Sequence, residues 1–190
     1  LFVASCATAF LGLYVPFFYA QLFATAAPDP SARSMAPYLV TVLNAGSVAG
    51  RILPTAAADS VGSLNSILVC IASCAVLAAA WLGIGNGPGL VVFSLLYGAF
   101  SGGVVSLSPT VIVTLSPSMA GVGGRMGICF LMAGLAVLIG TPIAGAVLGG
   151  VEAPRWQAMI GYGAASLILS TILIFIARWV VWVKKRAWRA

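Results

Sequence analysis

Four polar residues, Thr41, Asn44, Ser47 and Arg51, recur at spacings of three, three and four inside an otherwise apolar stretch. At 100° per residue they fall within about 120° of a helix circumference, so they form one polar stripe. A guanidinium at the end of such a stripe can clamp an anionic group through two parallel hydrogen bonds. An alternative stands beside this: Arg51 lies near a helix end, snorkels and pairs with Asp59. Catalysis finds no comparable constellation. The chain has no His, and its three acids, Asp29, Asp59 and Glu152, sit on three different connections. Ser and Thr are plentiful, but no base stands ready to activate them. Cys70 and Cys74 lie one turn apart, yet without His or a nearby acid they make an incomplete metal site. All four cysteines (Cys6, Cys70, Cys74 and Cys129) read as small buried hydrophobes. No enzyme activity, metal or cofactor is implied.

The elements that must position the stripe follow from composition. Of 190 residues, 62% are hydrophobic and 6% charged, against about 25% charged in soluble domains. The apolar residues fall in blocks near the 20 residues that cross a ~30 Å hydrocarbon layer as helix. The fold class is therefore all-α integral membrane, with six transmembrane helices in a bundle over residues 1–183. The spans are about 1–23, 36–57, 64–84, 90–115, 126–148 and 157–183, followed by a basic tail at 184–190. Thr25 to Met35 reads as a turn-rich connection, Asp59 to Gly62 as a tight polar link and Ser116 to Gly124 as a loop. A stripe ending in Arg51 does not face lipid, because a charge at the bilayer centre costs at least ~2.5 kcal/mol. It faces protein or a water-filled cavity.

The net charge of +6 is not spread along a face. Arg178, Lys184, Lys185, Arg186 and Arg189 supply five of the nine cations at the C-terminus, among Trp179, Trp182 and Trp188. That is an interfacial anchor on anionic lipid rather than a nucleic-acid surface. With Arg51 and Arg125 on the same side, the positive-inside rule places the C-terminus in the cytoplasm. Trp81 and Trp156 then mark the outer interface. Gly46 and Gly50, Gly98 and Gly102, and Gly145 and Gly149 form small-xxx-small pairs that let helices approach closely. Gly98 to Gly103 with Ser108-Pro109 suggests a bending helix. The chain opens inside a hydrophobic helix with no initiator Met, so it reads as a piece of a longer protein.

The segment Asn44-Ala-Gly-Ser-Val-Ala-Gly-Arg51, followed by Asp59-Ser-Val-Gly62, resembles the second helix and following loop in the C-terminal half of monocarboxylate-transporter-like members of the major facilitator superfamily. Tyr97-Gly98, Ser101-Gly102-Gly103, Arg125-Met126-Gly127 and Gly140-Thr-Pro-Ile-Ala-Gly145 are similar to later helices of the same family, above all its fungal branch. The resemblance covers the whole chain, as helices seven to twelve of twelve. It implies a secondary transporter of small organic anions that works by alternating access, in the plasma membrane, with or without a coupled proton. It also implies a missing N-terminal half, or a second copy, to complete the cavity. Arg51 then holds the substrate carboxylate, with Asn44, Tyr97 and Tyr14 as further contacts. Asp59, Gly62, Arg125, Gly140, Pro142 and Gly145 are gating or structural positions. Ser47 stands where the family often carries the Asp linked to proton coupling. By the same resemblance the first, second, fourth and fifth spans line the cavity. The competing reading from another class is a six-helix membrane protein with no transport cycle, either a scaffold or an inactive truncated half-transporter.

Overall fold

The computed structural model describes residues 1–116, 118–149 and 154–187, the last four as backbone only. The expectations placed on Glu152 and on the side chains of the basic tail lie outside the described residues. Seven helices account for nearly all of it: α1 Phe2–Leu13, α2 Val15–Ala26, α3 Pro30–Val61, α4 Ser63–Ala80, α5 Gly87–Leu115, α6 Val122–Leu148 and α7 Trp156–Ala187.

The helix ends follow from local chemistry. Asp29 caps α3, its carboxylate accepting from the Ser31 amide at 2.9 Å and the Ser31 hydroxyl at 2.6 Å, and Pro30 fits the first turn because its missing N–H would have no partner there. Helix α3 thus starts at Pro30 and runs to Val61, not from 36 to 57. The connection expected over Thr25 to Met35 shrinks to Ala27–Asp29, and Asp59 to Val61 form the last turn of a helix rather than a link. Gly62 makes the whole turn into α4 with φ +96°, a left-handed geometry that favours glycine. Asn86 caps α5 by accepting from the Gly89 amide at 3.1 Å. The loop expected to last until Gly124 ends sooner, because α6 begins at Val122.

The first span is broken once, at Tyr14 (φ −89°, ψ −5°), just before Pro16. Pro16 has no N–H to give to the preceding turn, so the ladder is interrupted there. Treated as one span, Phe2–Ala26 joins Ser63–Gly83, Gly87–Leu115, Met119–Leu148 and Trp156–Val183 as five segments long and apolar enough to cross a membrane among the described residues. At 32 residues α3 has the length; its polar stripe and its charges keep it out of the apolar set.

Around the bundle, α5 lies between α3 and α4, and α7 between α4 and α1. Helix α6 packs mainly on α1, while α2 leans on α3. The α3–α5 seam is the closest. A Cβ on Gly46 would strike the Leu95 carbonyl, one on Gly50 the Ala99 carbonyl and one on Gly98 the Leu43 carbonyl; on Gly102 it would sit 2.5 Å from the Ser47 carbonyl. Helix α5 runs unbroken through Gly98–Gly103 and Pro109. Its glycines bring two backbones into contact, which in lipid replaces the hydrophobic drive between helices. On the other side of the bundle, Ser5 and Ser170 bond reciprocally, each hydroxyl donating to the other's carbonyl, at 3.0 and 2.8 Å. Trp81 is buried, with Phe93 at 5.3 Å and Phe23 at 5.4 Å between ring centroids. At the end of its span it packs into the bundle core.

Candidate functional site

The break at Tyr14 and the polar stripe of α3 meet. Leu13, Tyr14 and Phe17 from the broken span, Asn44, Ser47 and Arg51 from α3, and Ser101, Gly102 and Val105 from α5 surround a cavity of about 220 Å³. Three of the four residues named as substrate contacts, Arg51, Asn44 and Tyr14, are therefore brought together. The seam glycines explain how α3 and α5 can both reach it: with backbones touching at Gly102 and Ser47, short side chains on each helix face the same space.

Within the site most polar groups are already held. Asn44 donates from Nδ2 to the Val40 carbonyl at 2.9 Å, which leaves its Oδ1 as an acceptor. The Ser47 hydroxyl donates to the Asn44 carbonyl at 2.8 Å, and that of Ser101 to the Gly98 carbonyl at 3.0 Å. Such back-bonds satisfy a hydroxyl inside a helix. Arg51 differs. Among the described residues its guanidinium makes no hydrogen bond and no ion pair, and Asp59, exposed two turns further along the same helix, does not reach it. Five N–H donors in a planar fork stand beside the cavity. No carboxylate lines it.

Tyr97 has another partner. It is fully buried, and its hydroxyl donates to the Leu13 carbonyl at 2.9 Å, on the last residue before the helix break. Phe17 packs edge-on against it at 6.4 Å and, tilted, against Tyr14 at 5.5 Å. Tyr97 thus braces the broken turn from behind, while Tyr14 and Phe17 form the aromatic side of the cavity. Phe17 escaped the sequence reading; the signal for it was Pro16, which breaks the helix and sets the direction of the next turn.

The remaining positions lie away from the cavity. Gly140 takes the first span at close range, since a Cβ there would sit 2.5 Å from the Leu11 carbonyl. Tyr19 donates to the Thr141 carbonyl at 3.1 Å, and its hydroxyl lies 2.7 Å from where a Gly145 Cβ would be. The Gly140–Gly145 segment is thus the seat of the first span on α6, with Pro142 exposed on the far face. Arg125 is exposed in the first turns of α6 and its nearest partner is the Ser116 hydroxyl, at 3.4 Å. The fifth span contributes nothing to the cavity lining.

The comparisons with known proteins agree with this architecture. No family profile matches the chain. An MFS-type transporter, dbaD, of Emericella nidulans is 36% identical over 176 residues, covering 93% of this chain and 39% of its own length. The Agnestins efflux protein AgnL12 of Paecilomyces divaricatus is 39% identical over 168 residues, 88% of this chain and 35% of its own. The Aspyridones efflux protein apdF of Emericella nidulans is 29% identical over 170 residues, with 90% and 34% covered. The relatives of this chain are fungal MFS-type transporters. The chain spans between about a third and two fifths of the length of the curated relatives it matches. Helices of membrane-crossing length and transporter relatives together support an integral membrane protein.

Proposed function

We propose that the chain is the C-terminal six-helix half of a major facilitator superfamily transporter that moves small organic anions by alternating access. The unpaired guanidinium of Arg51 beside the cavity carries this reading. Arg51 is exposed on the flank of the bundle, and a cation that meets lipid there without a partner is costly. A carboxylate or other anionic group of the solute supplies the missing acceptor, with Asn44 Oδ1 as a second polar contact and Tyr14 and Phe17 as a flat apolar surface for the rest of the molecule. Alternating access fits the broken first span: the turn at Tyr14 is a point where half a helix can tilt without straining a complete hydrogen-bond ladder.

In this reading α3 is the sixth span, which crosses the membrane because its polar stripe turns away from lipid. The stripe side of α3 is exposed at Thr41, Asn44, Ala45, Val48 and Arg51, and a second six-helix half, or a second copy, closes the cavity there. The monocarboxylate-like resemblance supports an anionic solute, and the word efflux in the names of two relatives supports outward transport. A coupled proton would need its carrier in the other half, because the lining on this side holds no carboxylate. The excess of Arg and Lys towards the last helix supports a cytoplasmic C-terminus, with the plasma membrane as location.

The test is flux through the longest natural chain that carries this sequence, with a panel of labelled organic acids. Arg51→Ala abolishes flux at unchanged surface expression. Arg51→Lys is also poor if the clamp is bidentate, because an ammonium offers no parallel pair of donors. Flux at the wild-type rate in Arg51→Ala removes the site assignment.

A further inference from the structure

A second cavity, of about 270 Å³, opens where the start of α4, the end of α5 and the end of α7 meet. Asn65, Thr114, Arg178, Val181 and Trp182 line it. Its centre is the Arg178 guanidinium, and the guanidinium is aimed. The Arg178 Nε donates to Asn65 Oδ1 at 2.6 Å, while Asn65 is itself fixed by donating from Nδ2 to the Val61 carbonyl at 2.9 Å. Using Nε in this way leaves the two terminal nitrogens, with four N–H donors, free of any partner among the described residues. Thr114 adds a hydroxyl that already accepts from Ser63 at 3.1 Å and donates to the Thr110 carbonyl at 2.9 Å, so it is held in place.

The depth of this cavity is also marked. Trp179 and Trp182 pack together at 5.5 Å on the same turns of α7, both with substantial exposure. Exposed tryptophans beside a run of cations are the mark of the membrane–water boundary, and the sequence of α7 continues into Lys184, Lys185 and Arg186. An apolar edge, Val181 with the Trp182 ring, borders the polar floor made by Arg178, Asn65 and Thr114.

We infer that this cavity seats the phosphate of a membrane phospholipid headgroup, gripped by the terminal nitrogens of Arg178. The phosphodiester accepts two parallel charge-assisted hydrogen bonds from the guanidinium, while the glyceryl and acyl parts leave along Val181 and Trp182. Asn65 is the positioning residue that turns the fork outward. The site is separate from the Arg51 cavity, shares no lining residue with it, and does not depend on the transport reading.

The experiment uses the longest natural chain in non-ionic detergent, titrated with phosphatidylglycerol and, in a parallel arm, with inorganic phosphate, and read by thermal unfolding and native mass spectrometry. Saturable binding of phosphatidylglycerol is expected, weakened about tenfold by Arg178→Gln, the loss of about 1.4 kcal/mol. Arg178→Lys and Asn65→Ala, which keep a cation, weaken it less but measurably, and they carry the test if Arg178→Gln does not fold. Equal phosphatidylglycerol affinity in all variants overturns the site. Saturation by inorganic phosphate that phosphatidylglycerol fails to displace assigns the cavity to a free anion and overturns the lipid.

Discussion

Helix α5 and the first half of α6 are both rich in glycine, yet they use it in opposite ways. On α5, Gly98 and Gly102 lie against the backbone of α3, and the α3 glycines Gly46 and Gly50 answer them. On α6, a Cβ on Gly123, Gly124, Gly127 or Gly134 would meet nothing within 4 Å. The spans that contain α5 and α6 have mean hydropathies of 1.9 and 2.1, yet the first is 56% buried and the second 22%, so the difference is not one of hydrophobicity. It lies in what each glycine faces. A glycine against a neighbouring carbonyl sets the distance between two helices, and through it the width of the Arg51 cavity; a glycine facing outward leaves a smooth surface for lipid or another bundle.

The sharpest way to break that contrast is to fill the seam. Gly50→Leu places a side chain where the Ala99 carbonyl stands, and overpacking of this kind costs about 1–3 kcal/mol or more. Loss of monodisperse protein on size-exclusion chromatography in detergent is expected, while Gly134→Ala on α6 elutes as wild type. Equal behaviour of the two variants would dissolve the comparison.

A smaller effect is expected behind the cavity. Tyr97→Phe removes the donor to the Leu13 carbonyl at the helix break and should cost about 1 kcal/mol, the net worth of one hydrogen bond. Thermal unfolding in detergent should show a lowered midpoint with the oligomeric profile intact. A midpoint equal to wild type would mean that the broken turn is held by packing alone.

The smallest effect belongs to the start of α3. Hydrogen bonds from the Ser31 hydroxyl and amide hold the Asp29 carboxyl below its ordinary value of 3.8. A folded-state value below the unfolded one means that the cap contributes stability above pH 3.8, which is lost as pH falls through the folded value. Asp29→Asn should therefore flatten a slight decline in helix content between about pH 5 and pH 3, as read by circular dichroism. An unchanged decline would place its cause elsewhere.

Much of this was readable before any coordinates. Apolar block length points to five of the helices that are long and apolar enough to cross a membrane among the described residues, and the stripe of Thr41, Asn44, Ser47 and Arg51 follows from helical periodicity; Asn44, Ser47 and Arg51 line one cavity. Helix ends were harder, because Asp29 and Gly62 look alike as loop residues in sequence, although one caps a helix and the other turns between two. The role of Tyr97 could not be read, since a tyrosine facing a ligand and one bonded to a carbonyl 84 positions away have the same local sequence. The burial of Trp81 could not be read for a related reason: an aromatic near a span end can face lipid or stack in the core. What decides each case is contact between distant segments, to which periodicity is blind.

The central claim is that Arg51 meets the negative charge of the solute. The most direct test compares an organic acid with its uncharged methyl ester, both carried by the longest natural chain, in wild type and Arg51→Gln at matched surface expression. The account predicts that Arg51→Gln lowers flux of the acid at least about tenfold, the loss of roughly 1.4 kcal/mol or more of charge-assisted bonding, and leaves the ester nearly unchanged. If acid and ester fall together, Arg51 holds the bundle rather than the solute, and the account of the site is wrong.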